Sequence, residues 1–439
     1  MTKQMNVPKL RFGEFQGGWS KISIDGLNID VIDGDRGTHY PTKEELLSEG
    51  SCLFLSAKNV TKSGFQFSEK QFITEEKDKL LRKGKLKRGD IVLTTRGSVG
   101  HKALYAETVG FDSLRINSGM VLLRHQWEEL SNDFVYNSMF TRHFTKQIDV
   151  VAFGSAQPAL TVKEIKKLKL SIPPSFHEQQ KIASFLSKVD EKIALLTEKK
   201  AKLTEYKKGV MQQLFDGKWQ EQDGKLVFVP PTLRFKADDG SELPDWEERA
   251  LIELAAQRFS NGVFNDPKRI GKGYRLINVK DMYSGNFIDT STLSLLDLSE
   301  KEFSNNQVKY GDIFFTRSSL VPSGIAYSNV NLSNDNDITY DGHLIKFSPK
   351  LDMISPYYFA NYLRSHSSRK SLISRGKQST MTTIGQEDIK DIRFLIPSLE
   401  EQIKIANFLS AIDQKIDLAN SELEKAKEWK KGLLQQMFV

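Results

Sequence analysis

Two stretches of this chain carry apolar residues in alternating steps of four and three. In the first, Ile182, Leu186, Val189, Ile193, Leu196, Leu203, Val210 and Leu214 follow the pattern, and Lys200 and Lys207 fill its two remaining positions. In the second, Ile405, Leu409, Ile412, Ile416, Ala419, Leu423, Ala426, Leu433 and Met437 do so, interrupted only by Lys430. A period of 3.5 residues belongs to a coiled-coil seam rather than to the broader stripe of a helix lying on a globular core. Each stretch is predicted to be one long helix, the first starting after Pro173-Pro174. Forty residues at ~1.5 Å each would make a rod of roughly 60 Å.

Elsewhere the pattern shortens. Apolar runs such as Ile91-Val92-Leu93 and Met120-Val121-Leu122-Leu123 stand between Gly, Asn and Asp turn residues, with a helical stretch near Asn132 to Ile148. Ile313-Phe314-Phe315, His343-Leu344-Ile345 and a helical stretch from Pro356 to Ser371 repeat that arrangement. The two halves are in fact one unit written twice. EQQKIASFLSKVDEKIALL at Glu178 returns as EQIKIANFLSAIDQKIDLA at Glu401, about 223 positions later, and KKGVMQQLF ending at Phe215 returns as KKGLLQQMF ending at Phe438. PKLRF at Pro8 is echoed by PTLRF at Pro231, and KRGDIVLTTRGSVGHKALY at Lys87 by KYGDIFFTRSSLVPSGIAY at Lys309. So long a period is a duplicated domain and not a solenoid repeat, and it predicts a pseudo-two-fold molecule suited to a two-fold partner such as duplex DNA.

The expected fold is α+β: two tandem pseudo-symmetric α+β domains separated by two long antiparallel coiled-coil helices. The expected boundaries are 1–172 for the first domain, 173–217 for the first helix, 218–396 for linker and second domain, and 397–439 for the second helix. Ile182, Leu186, Val189 and Ile193 on the first helix and Ile405, Leu409, Ile412 and Ile416 on the second are expected to serve the pairing of the two helices, and Asp216 to Pro231 to act as the return linker. Pairing within the chain is preferred to dimerisation between chains, because the duplication supplies both strands of the coil at high effective concentration.

Composition adds less. A net charge of +7, from 63 basic and 56 acidic residues, is a nearly balanced surface that decides nothing about nucleic acid. The single Cys52 excludes an intramolecular disulfide and fits a reducing cytoplasm. No basic-then-apolar leader and no apolar run near 18 residues is visible, so neither secretion nor a membrane partner is expected.

Catalytic signatures are missing. The chain has no GxxxxGK[ST] phosphate loop, HExxH or CxxC, so no metal and no cofactor is expected. Seven histidines are scattered without helical pairing, and Asn265-Asp266-Pro267 only superficially approaches the loop with which adenine methyltransferases grip a flipped base. No catalytic residue is assigned.

What recurs in both halves is a Gly-Asp turn, an apolar strand and a polar, basic tip. The first tip offers Thr94, Thr95, Arg96 and Ser98, and the second Thr316, Arg317 and Ser318. Arginine meets guanine O6 and N7 with two parallel donors, while Thr and Ser reach phosphates or base edges. The alternative is a structural turn whose arginine pairs with a carboxylate. A second loop pairs Gly154-Ser155-Ala156-Gln157 with Gly376-Lys377-Gln378-Ser379-Thr380, where small residues let backbone N–H groups approach phosphates and Gln157 or Gln378 can read adenine. Ser155, Lys377 and Thr380 are the other candidates there. Lys58-Asn59 matches Lys280-Asp281 at nearly the same offset, and the alternative for this pair is a strand end facing solvent.

Taken together, the EQxKIAxFLSxxDxKI segments with their KKGxxQQxF ends, the paired GDIxxxTR-like strands and the PxLRF starts followed by Trp19 and Trp246 resemble the specificity subunit of type I restriction-modification systems. The resemblance covers essentially the full chain. It implies a non-catalytic DNA reader in which each domain recognises one half of a split, asymmetric target and the helices set the unspecified gap. It further implies docking to two modification subunits, which carry S-adenosylmethionine and methylate adenine, and to two restriction subunits. On this resemblance Thr94 to Ser98 and Gly154 to Gln157 would face one half-site, and Thr316 to Ser319 and Gly376 to Thr380 the other. The second tip, TRSSLVPSG, departs by lacking the spacing of Gly97 and Gly100. A reading of another class is a coiled-coil scaffold that binds only proteins, and a steep salt dependence of DNA binding would separate the two.

Overall fold

The computed structural model describes residues 6–152, 158–229, 231–378 and 381–439. It divides into two compact units, Met1–Leu196 with Ser421–Val439, and Thr197–Asn420. Both are α+β and built alike.

In the first unit, a four-stranded antiparallel sheet runs in the order Asp30–Asp33, Met120–Arg124, Ile91–Thr94, Lys102–Leu104. In the second the order is Ser260–Asn261, Leu344–Phe347, Ile313–Thr316, Ser328–Val330. A three-stranded sheet accompanies each, with a parallel pair inside it: Cys52–Leu55 beside Leu114–Ile116, and Ile270–Ile277 beside Ile338–Tyr340. The unbroken apolar runs follow from burial of both sheet faces. Ile91 and Leu93 pack with Trp19 and Phe134, whereas Val92 between them packs with Leu53 and Leu114 on the other side. Ile313 and Phe315 likewise face Tyr358 and Leu409 while Phe314 faces Ile277 and Tyr340. The Gly-Asp turns feed these strands. Gly89 and Gly311 hold φ of 89° and 87°, which favours glycine. Asp90 and Asp312 accept hydrogen bonds from the Lys87 and Lys309 backbone N–H at 2.7 and 2.8 Å.

The long helices are Phe176–Phe215 and Leu399–Met437. Ile182, Leu186 and Val189 are buried in one cluster with Leu433, Leu434, Met437 and Phe438, and half-buried Ile193 packs against it. Ile405, Leu409 and Ile412 are buried with Val210, Leu214 and Phe215, and half-buried Ile416 packs there. Both clusters also contain the domain core, so these positions form a wall of the globular domain as well as a seam. The lysines that interrupt the apolar pattern meet polar partners on the other helix. Lys430 Nζ lies 2.5 Å from Asp190 Oδ1, and Lys207 Nζ 2.6 Å from Asp413 Oδ1. Lys200 Nζ donates to Asn420 Oδ1 at 2.6 Å; moving from 200 to 207 on one helix moves from 420 back to 413 on the other, so these segments are antiparallel.

The repeated sequence motif is a lock between the start of each domain and its helix. Glu178, fully buried, accepts two hydrogen bonds from Arg11 at 2.7 Å and one from Trp19 Nε1 at 3.3 Å. Glu401 does the same with Arg234 at 2.7 and 2.8 Å and with Trp246 at 3.3 Å. The neighbouring Gln179 and Gln402 accept from the Ser131 and Ser355 backbone N–H, fixing the segments that enter the helices Asn132–Ser138 and Pro356–Leu363. The conserved spelling EQ thus ties chain segments that are far apart in sequence. The stretch expected as the return linker contains a hairpin. Lys218–Gln222 pairs with Lys225–Val229 across Asp223-Gly224, both at positive φ as a two-residue hairpin turn requires.

Candidate nucleic-acid interface

At the end of each central strand a buried threonine ties the tip back. Thr94 Oγ1 accepts from the His101 N–H at 3.0 Å and donates to the Ser98 carbonyl. Thr316 Oγ1 accepts from the Tyr327 N–H at 2.9 Å and donates to the Gly324 carbonyl at 2.8 Å. Thr95 is also buried and donates to the Gly119 carbonyl at 3.0 Å. These three hydroxyls, expected to reach phosphates or base edges, are turned inward and tie the loops from inside. Arg96, Ser98 and Arg317 are exposed, and Ser318 is half-buried.

The arginines of the two tips are not equivalent. Thr95 and Arg317 hold the same place in the backbone: their N–H groups donate to Gly119 and His343 carbonyls, and their carbonyls accept from Leu160 and Ile384. Arg96 pairs with Ala159 where Ser318 pairs with Thr383. Adjacent residues of an extended segment point to opposite sides, so the two side chains leave their tips in different directions.

In the second unit Ser318–Ser319, Thr382–Thr383 and Lys377–Gln378 form one small sheet. It brings Arg317, Ser318 and Lys377 around a pocket of about 450 Å³, with His343 and Asp388 on its wall. Lys377 Nζ lies 2.7 Å from Asp388 Oδ1 and holds that carboxyl below its usual pKa. His343 Nδ1 lies 2.8 Å from the buried Asp341. Of Gln378 the backbone alone is described, and Ser155, Gln157 and Thr380 lie outside the described residues. Gly376, expected to cradle phosphate, has a packing reason: a Cβ there would stand 2.2 Å from Ile325 Cδ1.

Lys58 is exposed and paired with exposed Glu69 at 2.7 Å, a weak tie in water. Asn59 is a correction. It is buried, its Oδ1 accepting from Ser56 N–H and Oγ at 2.9 and 3.0 Å and its Nδ2 donating to the Gln66 and Glu69 carbonyls at 3.0 and 2.7 Å, so no polar atom is left for a base. Asp281 caps its own turn by accepting from the Asn278 N–H at 2.8 Å, and Lys280 beside it is exposed.

The model of the type I restriction modification DNA specificity domain matches residues 25–205 and, a second time, 244–428. The chain belongs to this family. Among similar proteins is the type I restriction enzyme MjaVIII specificity subunit of Methanocaldococcus jannaschii, 24% identical over 454 residues that cover 100% of this chain and 96% of that one. The fold is shared with a crystal structure of the S subunit of a type I restriction-modification system from M. genitalium, with a TM-score of 0.56 and 18% identity over 99% of both chains. A structure described under the assembly and conformational transition of the type I R-M system gives 0.54 at 16% identity, covering 96% of this chain and 97% of that one. Among the described residues, no helix is long and apolar enough to cross a membrane.

Residues that the sequence pattern did not single out hold the tips and the sheets in place. Arg369 donates to the Ser323 and Ile325 carbonyls at 2.8 Å and to that of Ala326, bracing the second tip from the helix His366–Ser374. Tyr283 reaches the same loop at the Gly324 carbonyl, 3.3 Å away. In the first domain Lys102 lies beneath the sheet, donating to the Met139 carbonyl at 2.6 Å and standing over the Phe140 ring at 4.7 Å; burial pushes it down to about 8. Nothing in local spacing marks such residues, because their partners lie in other segments.

Proposed function

We propose that this chain is the non-catalytic DNA-reading subunit of a type I restriction-modification complex in the cytoplasm, and that each specificity domain reads one half of a split, asymmetric target. The reading rests on one observation. The lock of Arg11, Trp19 and Glu178 is repeated residue for residue by Arg234, Trp246 and Glu401, while the tips carried on the two frames differ in residue type and register. A constant frame with divergent tips is what two readers of unlike short sequences require. On this reading Arg96 with Ser98, and Arg317 with Ser318 and Lys377, face DNA; Lys58 and Lys280 are placed for phosphate; and the helix pair fixes the unspecified gap. Two modification subunits, which supply adenine methylation, and two restriction subunits complete the assembly. Co-expression with the modification subunits of its own system, followed by single-molecule mapping of methylated adenines on a plasmid, tests this. The expected result is a split motif with one gap length. A stable complex that methylates without any motif would overturn it in favour of a protein-binding scaffold.

A further inference from the structure

The two tips differ most where the second carries Leu320-Val321-Pro322. Leu320 is 82% exposed and Val321 56%, directly after the short strand Ser318–Ser319 that follows Arg317. In the first domain the matching loop offers Gly97, Ser98 and Gly100, and its one apolar residue, Val99, is half-buried against the core. Three consecutive apolar residues at a loop apex are disfavoured in water unless a partner covers them.

The loop has the build of a rigid support. Its root is held at Gly324 by Thr316 and Tyr283, at Ser323 and Ile325 by Arg369, and at Ser319 by pairing with Thr382. Only the apex is left projecting. Arg317, at the adjoining pocket, supplies positive charge beside it, while Lys377 there is balanced by Asp388. A partner that offers both a polyanionic backbone and stacked apolar faces answers both features, and duplex DNA has them. Leucine and proline side chains pushed between base pairs act as wedges that unstack one step and bend the helix.

We propose that Leu320, backed by Val321 and Pro322, is such a wedge, entering the base stack of the half-site read by the second domain and of that half-site alone. This rests on the reading of the tip as DNA-facing. The test uses the full complex with its modification subunits on the mapped target. 2-Aminopurine is placed in turn at each position of both half-sites, omitting the methylated adenines, whose extrusion raises emission by itself. A several-fold rise in emission is expected at one step of the half-site whose discrimination is relaxed by Arg317→Ala. The rise should vanish in Leu320→Ala and persist in Leu320→Phe, with no such step in the other half-site. A complex that still discriminates the Arg317-sensitive half-site, yet shows no rise or a rise unaffected by Leu320→Ala, overturns the wedge and leaves the DNA-facing tip standing. If Arg317→Ala and Leu320→Ala both leave discrimination unchanged in both half-sites, the DNA-facing tip falls and the wedge with it.

Discussion

The side chains that set each tip's chemistry are Arg96 and Arg317, and their different positions in the backbone ladder mean that one cannot replace the other. Arg96→Ala in the assembled methyltransferase is expected to relax discrimination in one half-site only, and Arg317→Ala in the other, each by about 1–3 kcal/mol where a bidentate base contact is lost. Methylation rates on single-base variants of the mapped target measure this, and a loss uniform across sequences would assign the arginine to phosphate. Lys102 makes a second prediction at this scale. Burial, its largest influence, lowers its pKa in the folded state to about 8 from 10.5. Below pH 8 the lysine is charged in both states and the folded state carries the cost of a buried cation. Between about 8 and 10.5 the unfolded chain binds the proton and the folded chain does not, so stability rises with pH, with a limiting slope of roughly 1.4 kcal/mol per unit. Lys102→Met should remove that rise, and denaturant midpoints of both proteins from pH 7 to 10 check it.

Among the elements, the long helices and the buried central strands were legible in sequence, the helices because a period of 3.5 states which face meets apolar surface, the strands because an unbroken apolar run between turn residues suits a strand buried on both faces. What stayed hidden depended on partners brought from elsewhere. Asn59 and Thr95 are polar residues in polar segments, and only the carbonyls of Glu69 and Gly119 make them interior. The offset between Arg96 and Arg317 likewise follows from ladder partners at Ala159 and His343 that no local spacing reveals. The repeated Glu could be read as a motif, but its role appears only with Arg11 and Trp19 around it. Since the Glu178 side chain is fully buried and that of Arg11 is 11% exposed, Glu178→Gln leaves a largely buried guanidinium without its counter-charge. The expected cost is on the order of 3 kcal/mol, at the lower end for a broken buried pair because Arg11 retains some solvent. Hydrogen exchange should quicken through the first unit in Glu178→Gln and through the second in Glu401→Gln. Equal protection in wild type and variant would make the lock incidental.

For the molecule as a whole, the 223-residue duplication places the same Lys–Asp pair in both units, Asp190 with Lys430 and Lys207 with Asp413. A lysine at a seam position favours the register that brings it to its aspartate, because a slip would leave the ammonium group among apolar neighbours without that partner. That property makes the proposed ruler testable without disturbing either domain. Seven residues inserted after Leu196 and seven after Ala419 preserve the four-three pattern, and both Lys–Asp pairs lie wholly to one side of the insertions. Seven helical residues add about 10.5 Å, close to three base pairs at ~3.4 Å each. The variant complex is therefore expected to methylate a target with both half-sites unchanged and a gap about three base pairs longer. A four-residue insertion in one helix alone shifts that helix's seam against its partner and should lower complex stability instead of yielding a clean new spacing. If the heptad variant assembles, methylates and keeps the original gap, the helices do not set the spacing.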